Sequence, residues 1–178
     1  MRALPLSLIL ASLASAALAQ TKPVPKPAKP PATANAPKLV GKFDDWKAAT
    51  HLEAGQLVCY AFTTAQSSTP AVSGRGDVNL TVTERPPPGR DAVAISAGFT
   101  FTPGSTVAVQ ADTTAMDFYT AQRSAFARDG KIAVQAFQKA RQVLARAPNP
   151  KGGTVTDQFS LKGFPAAYAA ITKACAAK

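Results

Sequence analysis

The chain has 178 residues, a formal net charge of +10, 46% hydrophobic residues, two cysteines and one histidine. A single histidine excludes a histidine-rich metal site, and the length suits one domain of ordinary size. Without the five basic residues of the first 38 positions, 15 basic residues face 10 acidic ones, so the remaining chain is only mildly basic. We therefore expect no nucleic-acid partner, because such proteins gather basic residues and aromatics on one folded face.

Residues 1–19 have the pattern of a secretory signal peptide. Arg2 supplies a positive charge, residues 4–13 form a short apolar run, and Ala17-Leu18-Ala19 places small residues before a cleavage site at Gln20. The apolar run is too short to span a bilayer comfortably, which disfavours a retained membrane anchor. We predict export with cleavage near Gln20, and therefore no integral membrane span in the processed chain.

Residues 20–38 interleave proline with lysine and contain no acidic residue. Because proline fixes φ and removes a hydrogen-bond donor, this composition predicts a disordered, extended tether rather than part of a core. One interpretation is a solvated spacer. The other is a basic arm that rests on anionic envelope material, such as lipopolysaccharide, anionic lipid or peptidoglycan. The charges of this arm are Lys22, Lys26, Lys29 and Lys38.

Residues 39–178 are predicted to form a single, mainly β domain. Period-two alternation places Val78, Leu80 and Val82 on one face, and it recurs in residues 93–101 and in "STVAVQA". The segments "QLVCYAF" and "MDFYTA" are less regular strands, and "RPPPGRD" and "TPGS" mark turns. Short connections between successive strands favour an antiparallel sheet, folded as a β-sandwich or a half-open barrel.

Two short α-helices are expected beside these strands, one of them near the C-terminus. Asp129 is a predicted N-cap for "GKIAVQAFQKAR", which ends within residues 139–142 if "QVLARA" and "GTVTDQFSL" form a hairpin. A longer helix through Ala147 is the alternative. The second helix begins just after Gly163, with Pro165 in its first turn. Its apolar stripe is predicted to face the sheet and comprises Phe164, Tyr168, Ile171 and Cys175.

Both cysteines are predicted to face inward. Cys175 lies on the helix stripe, and Cys59 shares a strand face with Leu57 and Ala61. In an exported chain this favours a disulfide between Cys59 and Cys175, with two separate buried thiols as the alternative. Closing a loop of about 115 residues contributes about 4–5 kcal/mol by chain entropy, before strain is deducted.

Signals for catalysis are sparse. His51 is interpreted as a loop histidine near a turn, and no strained Gly-x-Ser-x-Gly turn presents a serine nucleophile. Asp44 and Asp45 are adjacent, so on a strand they would point to opposite faces and suit acid–base work poorly. Trp46 is expected to anchor the first strand by packing. We predict no catalytic, cofactor-binding or metal-ligating residue, with an unrecognised small hydrolase as the lesser alternative.

Arg75-Gly76-Asp77 matches the tripeptide that integrins can bind. Adhesion would require both charged side chains to splay from a mobile loop tip. Because Asp77 directly precedes the strand predicted from Val78, a role in holding a turn is the main interpretation and adhesion the lesser one.

Four ordered segments carry a family resemblance: "FDDWKA" at 43–48, "LVCYAF" at 57–62, "SAFARDG" at 124–130 and "FSLKGFPAAYAAI" at 159–171. Together they resemble the invasion-associated locus B family of exported proteobacterial proteins. The last segment is the most specific, because the family typically ends on a strand, a Gly-Phe turn and a small-residue helix. Many members carry a further cysteine pair in the central region, which this chain lacks, so the chain resembles a divergent member.

The resemblance implies an envelope protein that is linked to host-cell entry in a few pathogens and has no established catalytic residues. We predict from it a periplasmic, non-enzymatic binding or structural protein without a cofactor. Its expected partner is an anionic envelope component or an envelope protein. Secretion, or display on the outer surface as an adhesion factor, is the alternative.

Overall fold

The structure is a computed structural model that describes residues 36–85 and 91–176. The predicted signal peptide and the arm lysines Lys22, Lys26 and Lys29 lie outside the described residues. Lys38 is described, and it is the first residue of the first strand. The backbone of Lys38 pairs with that of Thr50, next to the predicted start of the domain at residue 39.

The described residues form eleven strands and two helices. They are, in chain order, β1 (Lys38–Phe43), β2 (Trp46–Glu53), β3 (Gln56–Thr64), β4 (Ser67–Thr69), β5 (Asn79–Glu84), β6 (Ala92–Ser96), β7 (Thr106–Ala111), β8 (Thr114–Ala121), β9 (Ser124–Ala127), α1 (Gly130–Phe137), β10 (Gln142–Pro148), β11 (Thr154–Ser160) and α2 (Phe164–Ala176).

All of these strands belong to one antiparallel sheet, in the order β1-β2-β3-β5-β6-β9-β8-β7-β10-β11-β4. Strand β4 follows β3 after two residues, yet it pairs with β11 near the other end of the sheet. The sheet is therefore curled, and the indole N–H of Trp46 in β2 donates to the backbone carbonyl of Ser160 in β11 at 2.9 Å. This open, mainly β architecture confirms the predicted fold class and has the form of a half-open barrel.

The inner face of the curled sheet holds the hydrophobic core. Val78, Leu80 and Val82 are buried there, which confirms the face predicted from their alternation. Both helices lie on this face: the ring centroids of Phe137 in α1 and Phe164 in α2 are 5.8 Å apart. The inner face is thus the packed side of the sheet, and the outer face is the side that the helices leave uncovered.

The first helix is capped as predicted but ends earlier. The carboxylate of Asp129 accepts a hydrogen bond from the backbone N–H of Ile132 at 3.0 Å, which confirms the N-cap. Helix α1 ends at Phe137, and the alternative that extends through Ala147 is wrong because residues 142–148 form β10. Alternate residues of β10 enter the core, and its ladder with β11 confirms the predicted hairpin.

Two strand predictions need correction. The strand predicted over residues 93–101 ends at Ser96, because Gly98 has a φ of +74°, which breaks the extended conformation. A side chain at this position would also collide with the carbonyl oxygen of Gly76. Trp46 opens the second strand rather than the first. Strand β1 was missed because "KLVGKF" does not alternate cleanly and pairs with β2 through a register shift between Leu39 and Gly41.

Candidate functional site

The start of β2 and the start of α2 pack against each other inside the domain. The rings of Trp46 and Phe164 lie 4.8 Å apart, and Trp46 is fully buried as predicted. The backbone N–H of Asp45 donates to the carbonyl of Lys162 at 3.3 Å. Gly163 is required at this junction, because its φ is +88° and a side chain there would collide with the carbonyl oxygen of Phe43 in β1.

Asp44 and Asp45 lie in the turn between β1 and β2 rather than on a strand. The carboxylate of Asp44 forms an exposed ion pair with Lys162 at 3.2 Å. Both aspartates help to shape the turn that leads into Trp46.

The predicted disulfide between Cys59 and Cys175 is present, with Cα atoms 6.0 Å apart. Beside it, the buried carboxylate of Glu84 accepts a hydrogen bond from the Thr172 hydroxyl at 2.5 Å. One turn earlier in α2, the Tyr168 hydroxyl donates to Asp91 at 2.5 Å. Burial is the main cause, and this hydrogen bond the next, that raises the pKa of Tyr168 above its ordinary value. The hydroxyl therefore remains a hydrogen-bond donor well above neutral pH. These polar groups hold α2 against the sheet.

The Arg75 side chain of the Arg-Gly-Asp tripeptide is buried. Its guanidinium forms a bidentate ion pair with Asp157 of β11, with both N–O distances at 2.7 Å and exposed side-chain fractions of 5% and 1%. It also donates to the carbonyl of Ala97 at 2.5 Å and lies 4.8 Å from the centre of the Phe99 ring. Arg75 is therefore used inside the fold and is not presented to a partner, which supports a structural role over adhesion.

A shallow cleft lies next to this ion pair, between the loops that follow β4, β6 and β10. Its volume is about 290 Å³, and Val72, Ser73, Phe99, Asn149 and Lys151 are among its lining residues. That volume is at the lower limit for small-molecule sites. We interpret the ion pair as a brace for these loops.

His51 lies on β2, so its placement in a loop is wrong; the strand continues to the tight turn after Glu53. Its ring meets that of Tyr60 edge-on, with centroids 5.4 Å apart. Both residues are on the outer face, because Ala48 belongs to the hydrophobic core of the inner face and its neighbour Ala49, which pairs with Tyr60, points the other way. Ala49 is nevertheless buried, with 4% of its surface exposed.

The outer face carries one continuous cross-strand row. Directly opposed residues of an antiparallel pair lie on the same face, so the registers of seven successive ladders can be followed from strand to strand. The line crosses the sheet from β1 through β2, β3, β5, β6, β9 and β8 to β7. We name it the outer row, and its members are Lys42, Lys47, Phe62, Thr81, Ala94, Phe126, Tyr119 and Thr106.

Two stacked aromatic pairs are associated with this row. Phe62 stacks on Tyr60 of the same strand with centroids 5.8 Å apart, and Tyr119 stacks on Phe126 at 5.5 Å. Tyr119 is 44% exposed, and the other three rings are half-buried. Phe62 and Phe126 are separated by three strand spacings, about 14 Å, so two aromatic platforms flank the small side chains of Thr81 and Ala94.

The two charged members of the row, Lys42 and Lys47, are both positive, and Arg128 lies beside it, although Asp45 shares a cleft with Lys47, and Asp117 and Asp129 share one with Arg128. The Nζ atom of Lys47 lies 5.8 Å from the centre of the Phe62 ring, and the guanidinium of Arg128 lies 5.9 Å from that of Tyr119. Lys42 is directly opposite Lys47 across the β1–β2 ladder. Like charges in directly opposed positions destabilise a sheet, so this pair is not explained by folding alone.

Sequence reasoning missed the outer row. The alternation in "LVCYAF" was a usable signal, because it places Tyr60 and Phe62 opposite the buried set on β3. It could not show that Phe126 and Tyr119, more than fifty residues later, continue the same line.

In the described part of the chain, neither helix is long and apolar enough to cross a membrane. The same residues contain no group of three or more His, Cys, Asp or Glu side chains that could hold a metal ion.

The fold and the surface together define a small, disulfide-stapled β domain with one helix-covered face and one aromatic, basic face. The family model described as "Invasion associated locus B (IalB) protein" matches residues 46–172. The chain therefore belongs to this family, which confirms the resemblance inferred from its sequence. Comparison with curated proteins and with solved structures finds no match.

Proposed function

We propose that this protein is exported to the bacterial cell envelope, where it works as a non-catalytic binding protein whose binding surface is the outer row. The periplasm is the expected location. Membership of the family, the secretory pattern of residues 1–19 and the disulfide support export, because disulfides persist in oxidising compartments.

The observation that carries the binding role is the aromatic character of the uncovered face. A solvent-facing side of an antiparallel sheet is normally polar, whereas this one presents two stacked aromatic pairs. Exposed apolar surface rimmed by polar groups marks an interaction site. The strongest polar contacts of the domain, by contrast, brace the fold: Arg75 binds Asp157 and Thr172 binds Glu84.

The basic arm contributes a second, weaker attachment. Near an anionic bilayer each lysine contributes about 1 kcal/mol, and salt screens this attraction. Lys38 at the start of β1 leads into the strand that carries Lys42, so the arm and the outer row present charge of the same sign. An anionic partner such as lipopolysaccharide, lipid or peptidoglycan would attract both the arm and the outer row.

Sedimentation of the full processed protein with isolated envelope fractions tests this proposal. The variant Phe62→Thr/Tyr119→Thr removes one ring from each platform with residues that suit strands, and we expect about tenfold weaker retention. Leu144→Thr is the matched control, because Leu144 is also half-buried on the outer face but lies on β10, away from the row. Equal retention of the double variant and the control would refute the outer row as the binding surface.

The arm is tested in the same assay by the full-length variant Lys22→Gln/Lys26→Gln/Lys29→Gln. We expect its retention to fall at low salt and to match that of the unmodified protein at high salt, where the charges are screened. Retention that is unchanged at low salt would reduce residues 20–37 to a spacer.

A further inference from the structure

We infer that the outer row binds a polyanionic polysaccharide, laid across the strands with sugar rings on the two aromatic platforms and acidic substituents beside the lysines. This inference rests on the proposed function and specifies its ligand class.

The aromatic platforms favour an extended chain of flat rings. Phe62 and Tyr119 each stack in a pair that leaves an aromatic surface partly open to solvent. The C–H faces of a pyranose ring pack well against such surfaces, which combine large contact area with few rotatable bonds. Because the platforms are about 14 Å apart, one ligand must be longer than a single sugar to reach both.

The space between the platforms suits sugar hydroxyls. It is formed by Thr81 of the row and by its outer-face neighbours Thr83, Ala92 and Ala94 on β5 and β6. These side chains are short, so a chain can lie against the sheet there without displacing them. Threonine hydroxyls both donate and accept hydrogen bonds, as the hydroxyls of a polysaccharide do.

The charges indicate that the polysaccharide is anionic. Lys42 and Lys47 face each other at one end of the row, and Arg128 covers Tyr119 at the other. A ligand anion between the two lysines would replace their mutual repulsion with attraction, which gives this opposed pair a function. The outer face also carries Asp117 beside Tyr119, and Glu53, which pairs with Arg85 at 2.8 Å. A third acid, Asp45, lines a cleft together with Lys47 and Phe62, whereas Lys42 lies on the other side of Lys47, on the edge strand.

Other occupants fit less well. A lipid surface requires a continuous apolar protrusion, whereas small polar residues interrupt this row. A second copy of the chain would bring the same cations together, because a two-fold interface places each patch on itself. The arm is disfavoured for the same reason, since all of its charges are positive.

The test compares three polymers by affinity electrophoresis, with the full chain carrying Lys22→Gln/Lys26→Gln/Lys29→Gln to remove attraction by the arm. Polygalacturonate offers sugar rings and carboxylates. Its methyl ester keeps the rings and loses the charge, and polyacrylate keeps the charge and has no rings. At physiological salt we expect binding to polygalacturonate about tenfold tighter than to either of the others.

Two variants separate the contributions. Phe62→Thr/Tyr119→Thr should reduce binding of polygalacturonate to the level of polyacrylate, and Lys42→Gln/Lys47→Gln should reduce it to the level of the methyl ester. Leu144→Thr should change neither. Thermal unfolding of each variant confirms that the loss of binding is not a loss of fold.

Equal binding of polyacrylate and polygalacturonate would overturn the inference, as would equal binding of the methyl ester. The inference would also be overturned if the protein bound no glycan but bound phosphatidylglycerol vesicles, or associated with itself, and Phe62→Thr/Tyr119→Thr abolished that binding. If the ring variant weakens retention on envelope fractions but no polysaccharide binds, the inference fails and the proposed function stands. If the ring variant changes neither retention on envelope fractions nor polysaccharide binding, the inference and the proposed function both fail.

Discussion

The two faces of the sheet use similar side chains in opposite ways. On the inner face, Trp46, Phe137 and Phe164 are fully buried and meet at tilted or edge-on angles. On the outer face, Phe62 and Tyr119 belong to stacked pairs and remain partly exposed. Charge follows the same division, because Arg75 is neutralised by Asp157 within the fold, whereas the cations of the outer row face one another or an aromatic ring. The inner face is built for stability and the outer face for contact.

The largest loss of stability on the inner face is expected when its disulfide is removed. Cys59→Ser/Cys175→Ser should lower the free energy of unfolding by about 4–5 kcal/mol, because the bond closes a loop across 116 positions and constrains the unfolded chain. Urea denaturation measures this change. Reduction of the unmodified protein is the control and should cause a similar loss. A double variant as stable as the original would show that packing of α2 alone holds the inner face together.

The second effect concerns the buried ion pair. Asp157→Asn leaves Arg75 charged and buried without its partner, which should cost about 3–5 kcal/mol. Glu53→Gln is the matched control, because the Glu53–Arg85 pair has exposed side-chain fractions of 53% and 44% and should be worth about 1 kcal/mol or less. Equal losses in the two variants, measured by thermal or urea unfolding, would contradict the division between braced interior and open surface.

The smallest effect on stability is expected from the outer row. Tyr119→Thr removes a largely exposed ring and its stacking on Phe126, so the free energy of unfolding should fall by about 1 kcal/mol at most. The same variant should still lower retention on envelope fractions. A loss of 3 kcal/mol or more would place Tyr119 among the residues that hold the fold, and would weaken the binding role of the row.

The parts of the fold that sequence reasoning predicted depend on local rules. Alternation identified Val78, Leu80 and Val82 as inward-facing, and Asp129 has the side chain that a helix N-cap requires. The disulfide was predictable because two inward-facing cysteines, in a chain predicted to reach an oxidising compartment, are expected to pair.

The parts that were missed depend on register and on distant partners. Residue 75 looks like an exposed loop arginine until β11 brings Asp157 beside it, 82 positions later. The outer row likewise exists only through successive ladders, and a shift of one residue in any of them would send its continuation to the other face. His51 was misplaced because residues 46–53 show no clear alternation, and β2 is defined by its ladders with β1 and β3.

The connection from β3 to β4 has a consequence for when the domain can be completed. Strand β4 precedes its partner β11 by more than eighty positions, and Trp46 bonds to Ser160 across 114 positions. Such distant pairings form slowly, because the chain loses the entropy of closing long loops before the contacts contribute favourable free energy. A chain still emerging from a ribosome or a translocation channel lacks the last strand and α2, and therefore lacks the partners that bury Trp46. The domain therefore remains incomplete until β11 and α2 are present, which is compatible with passage through a narrow channel during the export proposed above.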